Sequence, residues 1–322
     1  PRAGKATAVF TLANVVPVMY VLGLGTLLQH LFGGSLFWWS LAGSLAVAAY
    51  SLVGGLRSVV YSDLIQFGVM CSAVALLLVW SVGTYGGLPF LRENLPATHW
   101  DLAGPYPWQT TLAWGFIAMG TLIDPNFYQR CFAAASDRTA RTGILISTVI
   151  WCGFDLCTTF GAMYARAVIP EAESATAYLV YGLQLLPPGL RGFLLAGILA
   201  TILSTLDSYL FLAGSTVAHD LGPRSWRDRI QPYRIAIPTT AVVAALIASL
   251  FSDQMIQVWK VFGSLFTGAL LLPMLLTLFK PHKMSERLFL TAVSSSVVAI
   301  IAHHLLMVTA NESPYFPAYH AF

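Results

Sequence analysis

Apolar residues run along this chain in nine blocks, each about as long as a bilayer is thick, separated by interruptions of 3 to 22 residues. The blocks are 6–31, 35–56, 62–85, 108–128, 142–167, 190–217, 234–252, 256–279 and 287–309. About 20 apolar residues cross a bilayer as a helix. Lipid offers no hydrogen-bond partner to an open backbone, so such spans are helices or closed barrels, and blocks of this length are helical. The pattern predicts an all-α, polytopic membrane helix bundle, with residues 1–322 forming a single transmembrane domain of about nine helices.

The interruptions carry their own signals. Pro17, Gly23 and Gly25 predict a kinked first segment. Trp38 and Trp39 read as an interfacial aromatic belt. Gly54 and Gly55 predict a tight turn between the second and third segments. In the fourth, Gly115, Gly120 and Asp124-Pro125-Asn126 predict a helix that bends or breaks, as carriers do where backbone groups meet substrate.

Composition agrees with a membrane protein. The chain is 57% hydrophobic and only 10% charged, against about 25% charged in soluble domains. A net charge of +3 without a basic run gives no reason to expect nucleic acid. Cys71, Cys131, Cys152 and Cys157 lack metal-ligand spacing and read as small apolar packers. With the N-terminus in the cytoplasm, thirteen of the 17 Lys and Arg residues fall on the cytoplasmic side. Only Arg92, Arg166, Arg191 and Lys260 fall opposite. The bias sets the orientation and supports nine spans, since miscounting one in the middle would scramble it. No zinc-protease helix, nucleophile elbow or phosphate loop is present, so the chain does not read as an enzyme.

The polar residues inside the spans are the candidates for function. Between Phe193 and Ala218 the only charge is Asp207. Thr201, Ser204, Thr205 and Ser208 recur at i, i+3, i+4 and i+7, so they share one helix face. Asp207 lies about 60° from Ser204, on the edge of that stripe. A carboxylate at bilayer depth costs at least about 2.5 kcal/mol unless compensated. Two readings follow: a small-residue packing face with hydroxyls bonded to their own helix, or a cation site. Asp207 favours the second. Asp63 and Gln66 share a face at the start of the third segment, where Asp63 either caps the helix, stays solvated or serves a site. Asp124 either is solvated or pairs with Arg130. Trp151 and Asp155 sit one turn apart in the fifth segment and suit a cationic group through carboxylate and cation–π attraction, or a purely structural contact. His303 and His304 diverge on a helix and read as interfacial.

Three stretches, taken together and in order, resemble the sodium/solute symporter family. They are Gly54-Gly55-Leu56-Arg57 through Tyr61-Ser62-Asp63-Leu64-Ile65-Gln66, then Gln129-Arg130 with Ala133 to Ser136 and Ala140 to Gly143, and Leu195 through Ser204-Thr205-Leu206-Asp207-Ser208 to Asp220. The resemblance implies a LeuT-type inverted-repeat core, of which the nine segments would be core helices three to ten plus one trailing helix. The chain would then be N-terminally truncated, with core helices one and two lying upstream. It implies secondary active Na+-coupled symport of a small organic solute. It also implies an Na+ site at the Thr201 carbonyl and the Ser204 and Thr205 hydroxyls, and a possible second cation site at Asp63, Asp207 and Ser208. Proton coupling through those carboxylates stays open, as does a sensor module of a transporter-like signalling protein. The positions at which sugar-carrying members place polar groups are here Ile117, Gly120 and Trp151. An amino acid, amine or monocarboxylate is therefore expected rather than a sugar, with Gly120, Trp151 and Asp155 as substrate positions. The expected setting is a cell membrane, by resemblance the bacterial inner membrane. The expected partners are Na+, the solute and lipid, with no obligatory protein partner evident.

Overall fold

A computed structural model describes residues 2–101, 104, 107–174, 176–226, 229–251, 255–280 and 284–309. Among them the chain forms twelve α-helices and no strand. These are α1 (Arg2–Val15), α2 (Val18–Phe32), α3 (Leu36–Tyr85), α4 (Leu88–Asn94), α5 (Trp108–Ala118), α6 (Pro125–Ala133), α7 (Asp137–Val168), α8 (Ala177–Leu185), α9 (Pro188–Ser215), α10 (Gln231–Leu250), α11 (Met255–Phe279) and α12 (Glu286–Thr309). Every predicted apolar block falls on one or more of these helices. Six helical runs among the described residues are long and apolar enough to cross a membrane.

The departures from simple rods have local causes. The first block parts into α1 and α2 at Pro17, which donates no hydrogen bond. The second and third blocks both lie in α3, whose 50 residues would extend about 75 Å, more than twice a hydrocarbon core. Gly55 breaks that run, with φ 59° and ψ −157°, a backbone conformation open to glycine. The fourth block is the expected broken helix: α5 tightens into a 3-10 segment, Met119–Ile123, and stops at Asp124. Asp124 is extended, as the residue before a proline must be. Unforeseen was the end of the sixth block, where α9 passes into a π-helical turn, Thr216–Leu221.

The chain divides into two compact units. The first comprises Pro1–Leu56, Tyr106–Gln129 and Leu206–Phe322. Its centre is α11, which packs against α1, α2, α5, α12 and the 3-10 segment. Ile123, Phe266, Leu270, Phe289 and Val293 form the core there. Helix α10 packs on α2 and the π-turn packs on α1.

The second unit comprises Arg57–Pro105 and Arg130–Thr205. Its core joins Leu77, Leu91, Tyr164, Tyr181, Leu186 and Leu194. The two buried tyrosines keep their hydroxyls bonded, as buried aromatics with a polar tip require. Tyr181 donates to Ser81 Oγ at 2.7 Å, and Tyr164 donates to the Gly86 carbonyl. Burial pushes the Tyr181 hydroxyl up to about 12, so it stays a donor at neutral pH. A Cβ on Gly197 would stand 2.2 Å from the Ala73 Cβ, so only glycine lets α9 approach α3 this closely.

Candidate ion and solute site

The polar stripe of α9 has the geometry that its spacing implies. Thr201, Ser204 and Thr205 are half-buried. Ser204 Oγ donates to the Thr201 carbonyl at 3.2 Å, and Thr205 Oγ1 donates to the same carbonyl at 3.3 Å. Thr201 Oγ1 donates to the Gly197 carbonyl at 2.9 Å. The hydroxyls therefore bond back to their own helix, as the packing reading expects. The same contacts gather three oxygens around one point. Oxygen ligands about 2.3–2.6 Å from a hard cation, as around Ca2+, stand about 3.3–3.7 Å apart when at right angles. The α9 oxygens need to spread by only a few tenths of an ångström to meet that spacing, and rotating the two hydroxyl protons away presents their lone pairs.

One turn further, in the other unit, Asp207 is fully buried. Its Oδ2 accepts from Tyr50 Oη at 2.9 Å, and its Oδ1 accepts from Ser208 Oγ at 3.4 Å. Neither oxygen faces the interior alone, which is how a buried carboxylate escapes its desolvation cost.

Asp63 is neither a cap nor simply solvated. Its Oδ2 pairs with Arg130 Nη2 at 2.7 Å, both side chains being partly exposed. Asp124 is buried rather than solvated, and it caps α6: its Oδ1 accepts from the Asn126 backbone N–H at 2.8 Å, with Pro125 at the first helical position. Its Oδ2 accepts from Tyr209 Oη at 2.9 Å, and Tyr209 stacks on Tyr20 with ring centroids 5.4 Å apart. Capping turns Asp124 inward, where it is buried. Asp63 and Gln66 remain one turn apart, and the Gln66 Oε1 is buried with no hydrogen-bond partner among the described residues.

The expected solute positions are less concentrated. Gly120 lies in the 3-10 segment, and a Cβ there would stand 2.5 Å from Thr267 Oγ1. Trp151 is 61% exposed and Asp155 is exposed on the same helix, with none of the apolar window of α7 buried. All four cysteines are free thiols. Residue reading missed Tyr50, Tyr209 and Tyr20. The only available signal was that a buried intramembrane Asp needs a donor, and tyrosine is the donor that brings its own apolar body. His303 and His304 lie among residues whose side chains the structure does not describe.

Comparison with known proteins decides the family. The chain matches the sodium:solute symporter family over residues 6–291. The chain belongs to that family. It is 29% identical over 186 residues to the sodium/pantothenate symporter of Haemophilus influenzae, covering 55% of this chain and 38% of that protein. It is 25% identical over 269 residues to the osmoregulated proline transporter OpuE of Bacillus subtilis, covering 77% of this chain and 54% of that one. It is 26% identical over 304 residues to sodium/myo-inositol cotransporter 2 of Rattus norvegicus, at 76% and 45% coverage. The chain thus spans about half, or less, of the length of these curated relatives. The sodium:solute symporters are transporters and not enzymes, and the helical runs described above make this member a multi-pass membrane protein.

Proposed function

We propose that the protein is, or forms part of, a secondary active transporter in which inward Na+ flow drives symport of a small organic solute by alternating access. The observation that carries this reading is the convergence of the Ser204 and Thr205 hydroxyls on the Thr201 carbonyl. An all-oxygen, uncharged half-shell suits a weakly held monovalent ion that must both bind and leave. Binding of ion and solute together shifts an outward–inward equilibrium only if each prefers one state.

Asp63, Asp207 and Ser208 are the proposed second cation site. The orphaned Gln66 acceptor beside Asp63 supports it, since a buried carbonyl oxygen without a donor is a ready cation ligand. Proton coupling is the second reading, because a carboxyl group within a span can carry a proton as well as hold a cation. The relatives carry the solutes in their names: pantothenate, proline and myo-inositol. We place the solute of this protein with the amino acids, amines and monocarboxylates, at Gly120, Trp151 and Asp155. The break between α5 and α6 supports Gly120, because a 3-10 segment and an extended Asp124 free backbone groups inside a span. The basic residues support nine crossings and a cytoplasmic start for this chain, and the bacterial relatives support residence in a bacterial inner membrane.

The reading is tested by uptake into proteoliposomes holding the intact protein. A gradient of Na+, but not of K+, drives accumulation of radiolabelled proline or pantothenate, and Ser204→Ala/Thr205→Ala abolishes it. Accumulation that is equal in Na+ and K+ but follows a pH gradient moves the coupling to protons.

A further inference from the structure

One groove lies apart from the ion residues. It encloses about 560 Å3 between α1, the π-turn and α10, within the first unit. Ligand sites fall at about 300–1,000 Å3. Its α10 wall is one helix face, running from Gln231 and Pro232 through Ile235, Ala236, Thr239 and Thr240 to Val243. The twelve steps from Gln231 to Val243, at 1.5 Å each, make it about 18 Å long. Leu12 of α1, Val16 just beyond its end and Val217 of the π-turn also line it.

Its polarity is one-sided. The two threonine hydroxyls on the floor already donate within α10, Thr239 to the Ile235 carbonyl at 2.7 Å and Thr240 to the Ala236 carbonyl at 2.8 Å. The floor therefore asks for no polar partner. At the other end stand Arg229, Gln231 and Trp226. The N-terminus of α10 is there too, with no side-chain cap and no acidic residue in its first turn. Positive charge, indole and a helix N-terminus together suit an anion at a membrane–water interface. Ile235 is 67% exposed and Trp226 41%, so the groove is open along its side.

We infer that this groove is a site for one anionic phospholipid, its phosphate at Arg229 and the α10 N-terminus and an acyl chain along Pro232 to Val243. A long apolar floor ending in a cation matches an amphiphile with an anionic head, whereas a free phosphate would leave the floor empty and a zwitterionic lipid would gain less from Arg229. The inference goes beyond the transport reading, and its test reads bound lipid rather than transport.

The intact protein is purified in detergent, titrated with phosphatidylglycerol or phosphatidylcholine, and the retained lipid is counted by native mass spectrometry. One cation near a lipid phosphate is worth about 1 kcal/mol, a preference of about five-fold for phosphatidylglycerol. Arg229→Gln removes the preference while retaining lipid, and Thr239→Trp, filling an exposed stretch of the groove, removes retention of both lipids. Arg138→Gln, on α7, leaves the preference unchanged. Glycerol 3-phosphate, a head without a tail, does not compete. Equal retention of the two lipids, a preference that survives Arg229→Gln, or full competition by glycerol 3-phosphate each overturns the inference. Should Thr239→Trp fail to fold, the exposed Arg229 substitution still decides.

Discussion

Helix α9 carries two kinds of polar group barely a turn apart, and they are held in opposite ways. At Thr201, Ser204 and Thr205 the oxygens are neutral and bond back to carbonyls of their own helix. At Asp207 the oxygen is a fully buried carboxylate tied to Tyr50, 157 residues away in sequence. Asp124 repeats the second arrangement with Tyr209. A hydroxyl bonded back to its own carbonyl gives up little when a cation takes its lone pair, because such bonds are worth about 1 kcal/mol net. A carboxylate–tyrosine bond between two elements is worth more and breaks only with a change of packing. The contrast separates groups that can exchange an ion at little cost from groups, at the proposed second cation site, whose exchange needs a change of packing.

Four substitutions sharpen or break that contrast, from the largest effect to the smallest. Ser204→Ala/Thr205→Ala raises the Na+ concentration for half-maximal uptake by more than about 100-fold, if each lost ligand costs at least about 1.4 kcal/mol. The same variant melts within a few degrees of the parent in Na+-free buffer. Tyr50→Phe does the reverse: it lowers stability by about 1–3 kcal/mol, since it leaves a buried carboxylate oxygen short of a donor, and keeps the Na+ requirement. Urea titration in mild detergent reads the loss. Tyr209→Phe costs a similar but smaller amount, because Asp124 keeps the Asn126 N–H and the ring keeps its stack on Tyr20. Arg130→Gln costs no more than about 1 kcal/mol, since its pair with Asp63 is partly exposed and screened. An Na+ requirement that is lost in Tyr50→Phe but kept in the Ser204/Thr205 variant would reverse the roles assigned here.

Much of this was legible in the sequence, for physical reasons. The bundle follows from apolar block length alone. The shared face of Thr201, Ser204 and Thr205 follows from helical period. The break before Pro125 follows from the proline. What escaped is long-range: nothing local says that Arg130 meets Asp63, 67 residues away, or that Asp124 is buried. That burial depends on Asp124 being turned inward by capping α6, and on Tyr209 arriving from a helix 85 residues away. The π-turn after Ser215 also left no mark, because an extra residue in one turn hardly changes the hydrophobic period. The exposed face of α7, bearing Trp151 and Asp155, shows the limit from the other side. Sequence chemistry nominated the pair, and only contact with a ligand assigns it a role.

The most direct test of the central claim is the thermal stability of the purified intact protein in Na+ against K+ at equal ionic strength. The account predicts that Na+ at about 100 times its dissociation constant stabilises the protein by about 2.7 kcal/mol, and that Ser204→Ala/Thr205→Ala erases the difference. Stabilisation by Na+ that persists in the double variant would contradict the assignment of the ion to α9.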